Sequence, residues 1–590
     1  MKLYNIFAIA ALAIGTASCG DSFLQNPPQG SLSDAVMGSS EGAELLCNAA
    51  YAALGGPEGQ SWSVWCTPTS NWSFGEVRSD NAYKGGGGTG DLNEVHRMEI
   101  FDVQSNNGIL DSKWYHLYCS LQRCNSALNV LQQYSDEQIQ DRVSRINEMR
   151  VLRAHYFFEL SRLFNKIPYF DENVATPDYV KIPNDQYTRD QILGMIAKEL
   201  LDAAEKLPQS QPEIGRINKY IAYAYAAKVK LYQAYKQDET THKVVEVNKQ
   251  LLQEVVDLTS KVLNDDRYHL LKDFQNLDLV AYENAEESVF GIQYSINDGT
   301  VDAGRVNWSN LLNSPGGNSP YSGDGFFLPS QDLINAYQTD ENRLPVFDDQ
   351  SLPDFSVVTF KSQDEQVLTN ADHFVDPRLD FVVGRPTITW KTYTDRPCQS
   401  WVRDRDTYGH NCIKRFWVSP ESSDMHKGWP WGASELNWQI IRIADVMLWQ
   451  AEALIELGSD LDKARTLIND IRTRAMNSPY VKDFKNSEQN AANYKIGLYP
   501  ATGWNQDYAR KALRTETRLE KAFEGERFFD LVRWGILGEV MPAYLKAEKD
   551  NRIYYQSETF KISRDEYLPV PINQINFSGG LYTQNPGFAQ

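Results

Sequence analysis

The chain has 590 residues, 42% hydrophobic and 23% charged, an ordinary globular composition that excludes disorder over most of its length. With 58 Lys and Arg against 78 Asp and Glu, its formal net charge of -20 argues against a nucleic-acid partner, which would need clustered cations to displace counterions. At roughly 150 residues per domain the length gives a prior of about four domains, and 31 Tyr with 14 Trp outweigh 25 Phe, a bias toward rings that join an apolar face to a polar edge.

Lys2 precedes an apolar run from Ile6 to Ile14 and the small-residue stretch Gly15-Thr16-Ala17-Ser18-Cys19. That layout predicts a secretory signal over residues 1–18 rather than a membrane span. The cleavage region resembles a bacterial lipoprotein box, with Thr16 where such boxes usually carry Leu. It implies lipidation of Cys19, the alternative being an ordinary signal with an incidental cysteine. Several acyl chains there would anchor the protein durably. Six cysteines remain, namely Cys47, Cys66, Cys119, Cys124, Cys398 and Cys412. Disulfides are permitted in an exported protein; Cys398 and Cys412 flank a loop-like segment they could close, whereas Cys119 and Cys124 stand at a poor offset on one helix.

From about 110 to 265 the pattern is helical, with helices expected over Asp111–Tyr134, Arg142–Phe164, Arg189–Lys206, Asn218–Lys236 and Val244–Asn264. Asn218 is placed to cap its helix. Ile221, Ala224 and Tyr225 share a face, and the small Ala222, Ala224, Ala226 and Ala227 allow a close neighbour. Helical periodicity returns over about 436–540. There Ile440, Ala444, Met447, Leu448, Ala451, Leu454 and Ile455 form one stripe, Gly458 ends it, and Leu461, Ala464, Leu467, Ile468 and Ile471 form the next. Helices joined so tightly fold back on each other, and their loose recurrence predicts degenerate tetratricopeptide-like pairs. The expected fold is mostly α, a helix-pair scaffold carrying irregular segments over about 55–101 and 279–437, where binding residues tend to sit.

Catalytic motifs are sparse. Gly85, Gly87 and Gly90 fit G-x-G-x-x-G, but no apolar strand precedes them and no convincing helix follows, so a flexible loop is the reading. No H-E-x-x-H pair, G-x-S-x-G elbow or Walker lysine occurs. Asp404, Asp406 and Gly409 imitate the opening of a calcium loop, yet Tyr408 and Arg415 stand where oxygen ligands are needed. No cofactor and no metal is expected. In Glu516–Gly535, Glu524 to Arg527, Arg527 to Asp530 and Asp530 to Arg533 are spaced i, i+3 on an expected helix. Structural Arg–carboxylate pairs explain them better than catalysis does.

Six tryptophans fall between 390 and 438: Trp390, Trp401, Trp417, Trp429, Trp431 and Trp438. Trp308 precedes them, and Trp62, Trp65 and Trp72 lie in the earlier irregular segment. An indole face suits the C–H face of a sugar while Asp, Asn and Arg take the hydroxyls. Ligand-binding candidates are therefore Trp65, Trp72, Arg78, Asp80, Asn81, Tyr83, Trp308, Trp390, Trp401, Arg403 and Tyr408. The competing reading is that these rings fill the cores of irregular loops. Net charge favours a neutral glycan, while Arg396, Arg403, Arg405, Lys414 and Arg415 near the tryptophans leave acidic ones open.

Four places resemble the SusD/RagB family of outer-membrane nutrient-binding lipoproteins. Arg442–Leu454 continuing through Leu467–Ala475 looks like its helical repeat, and Glu524-Gly-Glu-Arg-Phe-Phe-Asp-Leu-Val-Arg-Trp-Gly535 is similar to its most recognisable motif. Tyr567-Leu-Pro-Val-Pro571 with Gln584-Asn-Pro-Gly587 resembles its ending, and Asp21–Pro28 its mature start. The resemblance implies one unit over 19–590 with four tetratricopeptide-like pairs, anchored at the outer membrane and exposed at the cell surface. It implies further a binding protein rather than an enzyme, which captures an oligo- or polysaccharide and delivers it to a SusC-like TonB-dependent transporter. A peptide or glycoprotein ligand, and a glycan hydrolase with an unrecognised carboxylate pair, are the alternatives.

Overall fold

A computed structural model of the chain describes residues 39–56, 68–300, 304–347, 352–360, 366–369, 372–391 and 399–589. The fold is mostly α. Helices of seven or more residues are α1 Ser40–Ala52, α2 Asn93–Glu99, α3 Gly108–Gln133, α4 Arg142–Phe164, α5 Arg189–Ala204 and α6 Lys219–Ala234. They continue as α7 Lys249–Leu263, α8 Ile443–Leu457, α9 Leu461–Asn477, α10 Gln506–Glu520, α11 Arg527–Arg533 and α12 Leu537–Asn551.

Local chemistry sets the boundaries. The Asn218 side chain accepts the N–H groups of Tyr220 and Ile221 at 2.9 and 3.1 Å, which starts α6. Gly458 stops α8 in the left-handed region with φ of 67°. One expected helix is corrected. Val244–Val247 is strand β3, paired with β2 Tyr235–Gln237, because three valines in four residues favour extended backbone. Asn248 then caps α7 by accepting the Leu251 N–H. The Glu516–Gly535 helix also divides into α10 and α11, and of its three expected i, i+3 pairs only Asp530–Arg533 forms, at 2.8 Å.

α3 packs on α4, α4 on α5, α5 on α6, α6 on α7, α7 on α8, and α8 on both α9 and α10. Eight helices thus make four successive pairs, the third joining α7 and α8 across a long insertion. Gln450 locks that pair by donating to Thr259 Oγ and Ser260 Oγ at 3.1 and 2.8 Å. On α6, Ala222, Ala224, Ala226 and Ala227 are fully buried, as close helix approach requires.

The insertion and the segment before α2 carry short antiparallel strand pairs. β1 Ala82–Gly85 pairs with β5 Phe326–Pro329, β4 Ser288–Ile292 with β10 Trp438–Arg442, β6 Val357–Phe360 with β7 Gln366–Thr369, and β8 Val383–Gly384 with β9 Cys412–Ile413. Through β1–β5 and β4–β10 the irregular parts share one large core with the scaffold. Among the described residues no helix is long and apolar enough to cross a membrane. Cys47 and Cys124 are buried, and the Cys412 Sγ lies 3.5 Å from Gly384 O; Cys19, Cys66 and Cys398 fall outside the described residues.

Candidate functional site

Most residues expected to meet ligand are interior. Trp72 is 1% exposed, its ring centroid 5.7 Å from that of Phe327 and 6.2 Å from that of Phe326 on β5. The Arg78 guanidinium lies 4.1 Å over the Phe528 ring and donates to Asp565 O at 2.7 Å. Asp80 accepts from Nε and Nη2 of Arg527 at 2.8 and 2.7 Å, and Asn81 donates to Glu76 and accepts from Arg518, both at 2.8 Å. Tyr83 donates to Glu548 at 2.9 Å. Charged side chains enter a core only when paired, and here the pairs clamp residues 76–85 onto α10–α12. These four residues and Trp72 are buried and join two parts of the chain, so none of them presents an open face to a ligand. Glu76, pushed up to about 7 by burial, still accepts the Gly525 N–H at 2.8 Å.

The later tryptophans divide. Trp390 and Trp401 are buried edge to face, centroids 5.3 Å apart, and Trp390 Nε1 donates to Tyr321 Oη at 3.0 Å. Tyr408 is buried against Tyr554, and Trp308 lies in a small satellite core with Val306, Leu311 and Ala433. None of these four offers an open face, because loops without regular structure still need an interior and large rings supply it. Trp65 lies outside the described residues. Among the described candidates Arg403 alone is exposed, its side chain at 37%.

Two indoles of the same tryptophan run, outside the candidate set, are exposed. Trp429 is 43% exposed and Trp431 55%. Trp429 sits edge-on above the buried Trp308, centroids 5.6 Å apart, so a rigid floor supports it. The loop closes on itself: His426 N–H donates to Ala433 O at 2.8 Å, and His426 Nε2 lies 3.1 Å from Trp429 O. Asn307 ties it down by donating through its N–H to Ser434 O at 3.0 Å and through Nδ2 to Leu436 O at 3.1 Å. Exposure was the missing signal, and the alternation of Gly428, Pro430 and Gly432 with the indoles was the available hint of a turn.

A continuous strip of loops links this turn to Arg403. Residues 314–325 pass between them: Gly432 abuts Ser314, while Gly316 N–H donates to Trp401 O at 2.9 Å. Arg403 Nη1 then reaches Asp91 Oδ2 at 3.0 Å and Asp324 O at 2.9 Å. The glycine run beside it is no anion cradle. Lys84 Nζ sits inside and donates to the carbonyls of Gly85 and Gly88, both at 2.9 Å, and of Asp91, so the loop turns its oxygens inward. Burial brings this ammonium down to about 8. Asp404 caps a short helix by accepting the Thr407 N–H at 3.2 Å, and among the described residues no group of three His, Cys, Asp or Glu is arranged to hold a metal.

Residues 286–588 match the SusD family, and residues 69–231 match a family described as "Starch-binding associating with outer membrane". The chain belongs to the SusD family. Its sequence is 24% identical over 597 residues to SusD-like protein P2 of Formosa agariphila, covering 100% of both chains. Among solved structures, a SusD superfamily protein of Bacteroides vulgatus superposes with a TM-score of 0.67 at 19% identity, over 93% of this chain and 99% of that one. Surface glycan-binding protein A of Bacteroides thetaiotaomicron, solved in complex with laminarihexaose, superposes with a TM-score of 0.64 at 18% identity, over 93% and 99%. These likenesses establish the SusD fold for the helix-pair scaffold and its insertion.

Proposed function

We propose that this chain is a glycan-binding lipoprotein of the outer-membrane surface, one unit over 19–590, which captures an oligo- or polysaccharide without cleaving it. The observation that carries the reading is the pair Trp429 and Trp431, the two exposed indoles among the described residues, the first of them braced from below by Trp308. Indole faces held open by a supported loop take the C–H face of a pyranose at little entropic cost. Membership of the SusD family and the laminarihexaose complex of a structural neighbour support a sugar as the ligand. Lipid on Cys19 would hold the protein at the membrane, and a SusC-like TonB-dependent transporter would receive the captured glycan.

Affinity gel electrophoresis of the chain without its first 19 residues, against a panel of polysaccharides and with reducing-sugar release assayed in parallel, tests capture. Retardation by at least one polysaccharide, abolished in the Trp429→Ala/Trp431→Ala variant and without release of reducing ends, is the expected result. Release of reducing ends would replace capture by hydrolysis, and binding that survives loss of both indoles would move the site elsewhere.

A further inference from the structure

The strip beside the indoles has its own polar chemistry. Arg403 uses Nη1 for Asp91 and Asp324, while its Nε and Nη2 make no hydrogen bond to any described residue. Its neighbours are part-exposed as well, the side chains of Asp91 at 34% and Asp324 at 58%. Two glycine loops let backbone press against the guanidinium side chain: a Cβ on Gly87 would stand 3.0 Å from Nη2, and one on Gly316 would stand 2.7 Å from Cγ. The geometry is fixed in advance. Lys84 pins the first loop from inside, Asp91 Oδ2 accepts the Gly87 N–H at 2.8 Å, and Gly86 N–H donates to Gly325 O at 2.8 Å to join the two loops.

Carboxylates outnumber cations on this strip. Of the cations that the sequence sets among the tryptophans, Lys414 is buried and donates to Asp380 O and Thr389 O at 2.7 and 2.9 Å, and Arg415 is buried against Asp278 and Glu524. Arg403, Arg405 and, in the indole turn, Lys427 reach the surface, against Asp91, Asp324, Asp404 and Asp406 on the adjoining loops. A guanidinium with donors unused by the described residues, beside a solvent-facing carboxylate, matches adjacent sugar hydroxyls, one accepting from the arginine and the next donating to the aspartate. An anionic sugar would meet a strip on which carboxylates outnumber cations, Asp91 and Asp324 sharing the one guanidinium of Arg403.

We propose that Arg403 and Asp324 form a hydroxyl-reading subsite next to the Trp429–Trp431 platform and that it restricts the ligand to uncharged glycans. This rests on the glycan-binding reading above and names the class of glycan. The subsite deepens the platform's role: stacking is tolerant of sugar identity, and the paired donor and acceptor supply discrimination.

The test uses the same chain in affinity gels against laminarin, starch and galactomannan as neutral probes and alginate, polygalacturonate and carrageenan as anionic ones. The wild type is expected to be retarded by a neutral probe and by no anionic one. Arg403→Met should weaken neutral binding about tenfold, the order of one lost polar anchor. Asp324→Asn should weaken it less and admit anionic probes. The Asp324 carboxylate makes no hydrogen bond to a described residue, so this second variant separates ligand reading from loop stability, and its melting temperature should stay at the wild-type value. Retardation of the wild type by an anionic probe as strongly as by a neutral one, or unchanged neutral binding in both variants, would overturn the subsite. If the double tryptophan variant loses binding while both rim variants keep it, the subsite fails and glycan capture stands; if no probe retards the wild type, both fail.

Discussion

Arg527 grips Asp80 with two parallel hydrogen bonds, Nε to Oδ1 at 2.8 Å and Nη2 to Oδ2 at 2.7 Å, and both residues are buried. Arg518 reaches the same carboxylate at 3.2 Å and donates to Asp80 O at 3.0 Å. One acid from the loop before β1 thus serves two guanidiniums from α10 and α11, and it explains why a charged run in an irregular segment is interior.

Removing that acid should be costly. Asp80→Asn takes the bidentate counter-charge from buried Arg527 and leaves Arg518 to Asp332 at 2.6 Å, a change worth about 3–5 kcal/mol in comparable buried pairs. Burial pushes the Asp80 carboxyl up, but Arg518 and Arg527 more than reverse this and hold it at about 2. A depressed acid stabilises the fold above its unfolded pKa of about 3.9 and loses that contribution as the pH falls through its folded value. Chemical denaturation should show a large loss at pH 7 in the variant, and a shallower fall in stability between pH 4 and 2 than the wild type shows. Equal acid profiles would remove the pair from the stability of the fold.

Gly525 marks the other end of this clamp. Its φ of 80° lies in the left-handed region, and a Cβ there would stand 2.0 Å from Ser70 O. Ser70 in turn donates its N–H to Ser309 Oγ at 2.7 Å, so the backbone it presents has little room to retreat. Gly525→Ala should therefore cost at least the 1–3 kcal/mol or so of a strained backbone position. Gly90→Ala, whose Cβ would meet nothing within 4 Å, is the control and should melt with the wild type. A melting temperature in Gly525→Ala equal to that of the control would show that the contact yields.

Glu283 gives a pH response near the proposed ligand-binding loop. Burial, with Glu435 and Asp424 nearby, raises its carboxyl to about 7, although Glu283 Oε2 accepts the Asn437 N–H at 3.0 Å. A raised acid favours the fold while protonated, and that contribution, complete below an unfolded pKa of about 4.3, is lost as the pH rises through about 7. Glu283→Gln keeps an acceptor for Asn437 without the charge. Its melting temperature should rise relative to the wild type across pH 4.5 to 8, and a constant offset would contradict the assignment.

Much of the scaffold was legible because helix signals are local. Arg142–Phe164 matches the observed α4, and Asn218 and Gly458 act as the caps their types predict. The α7–α8 contact was not legible, since nothing in either helix specifies a partner across the insertion that separates them. Exposure within the candidate site was illegible for the same reason. Whether an indole is covered depends on distant residues, as with Trp72 under Phe326 and Phe327 or Trp390 bonded to Tyr321. Composition placed the tryptophans in the irregular segments; only tertiary contacts separate Trp429 and Trp431 from Trp390 and Trp401.

That separation can be measured. Trp401→Ala removes a ring that is 2% exposed and packed on Trp390, and should cost about 3–5 kcal/mol of stability as a large-to-small core change. Trp431→Ala removes a ring that is 55% exposed, and should leave the melting temperature within the half kcal/mol or so typical of surface changes. Affinity should move the opposite way. Loss of one stacking face is worth about 1 kcal/mol beyond its buried area, so Trp431→Ala should weaken the retarding polysaccharide roughly tenfold by calorimetry. Trp429→Ala should lose as much affinity with a small fall in stability, because its ring also covers Trp308. If Trp401→Ala keeps its stability and loses the sugar, the buried pair opens to ligand and the platform belongs at Trp390 and Trp401 instead.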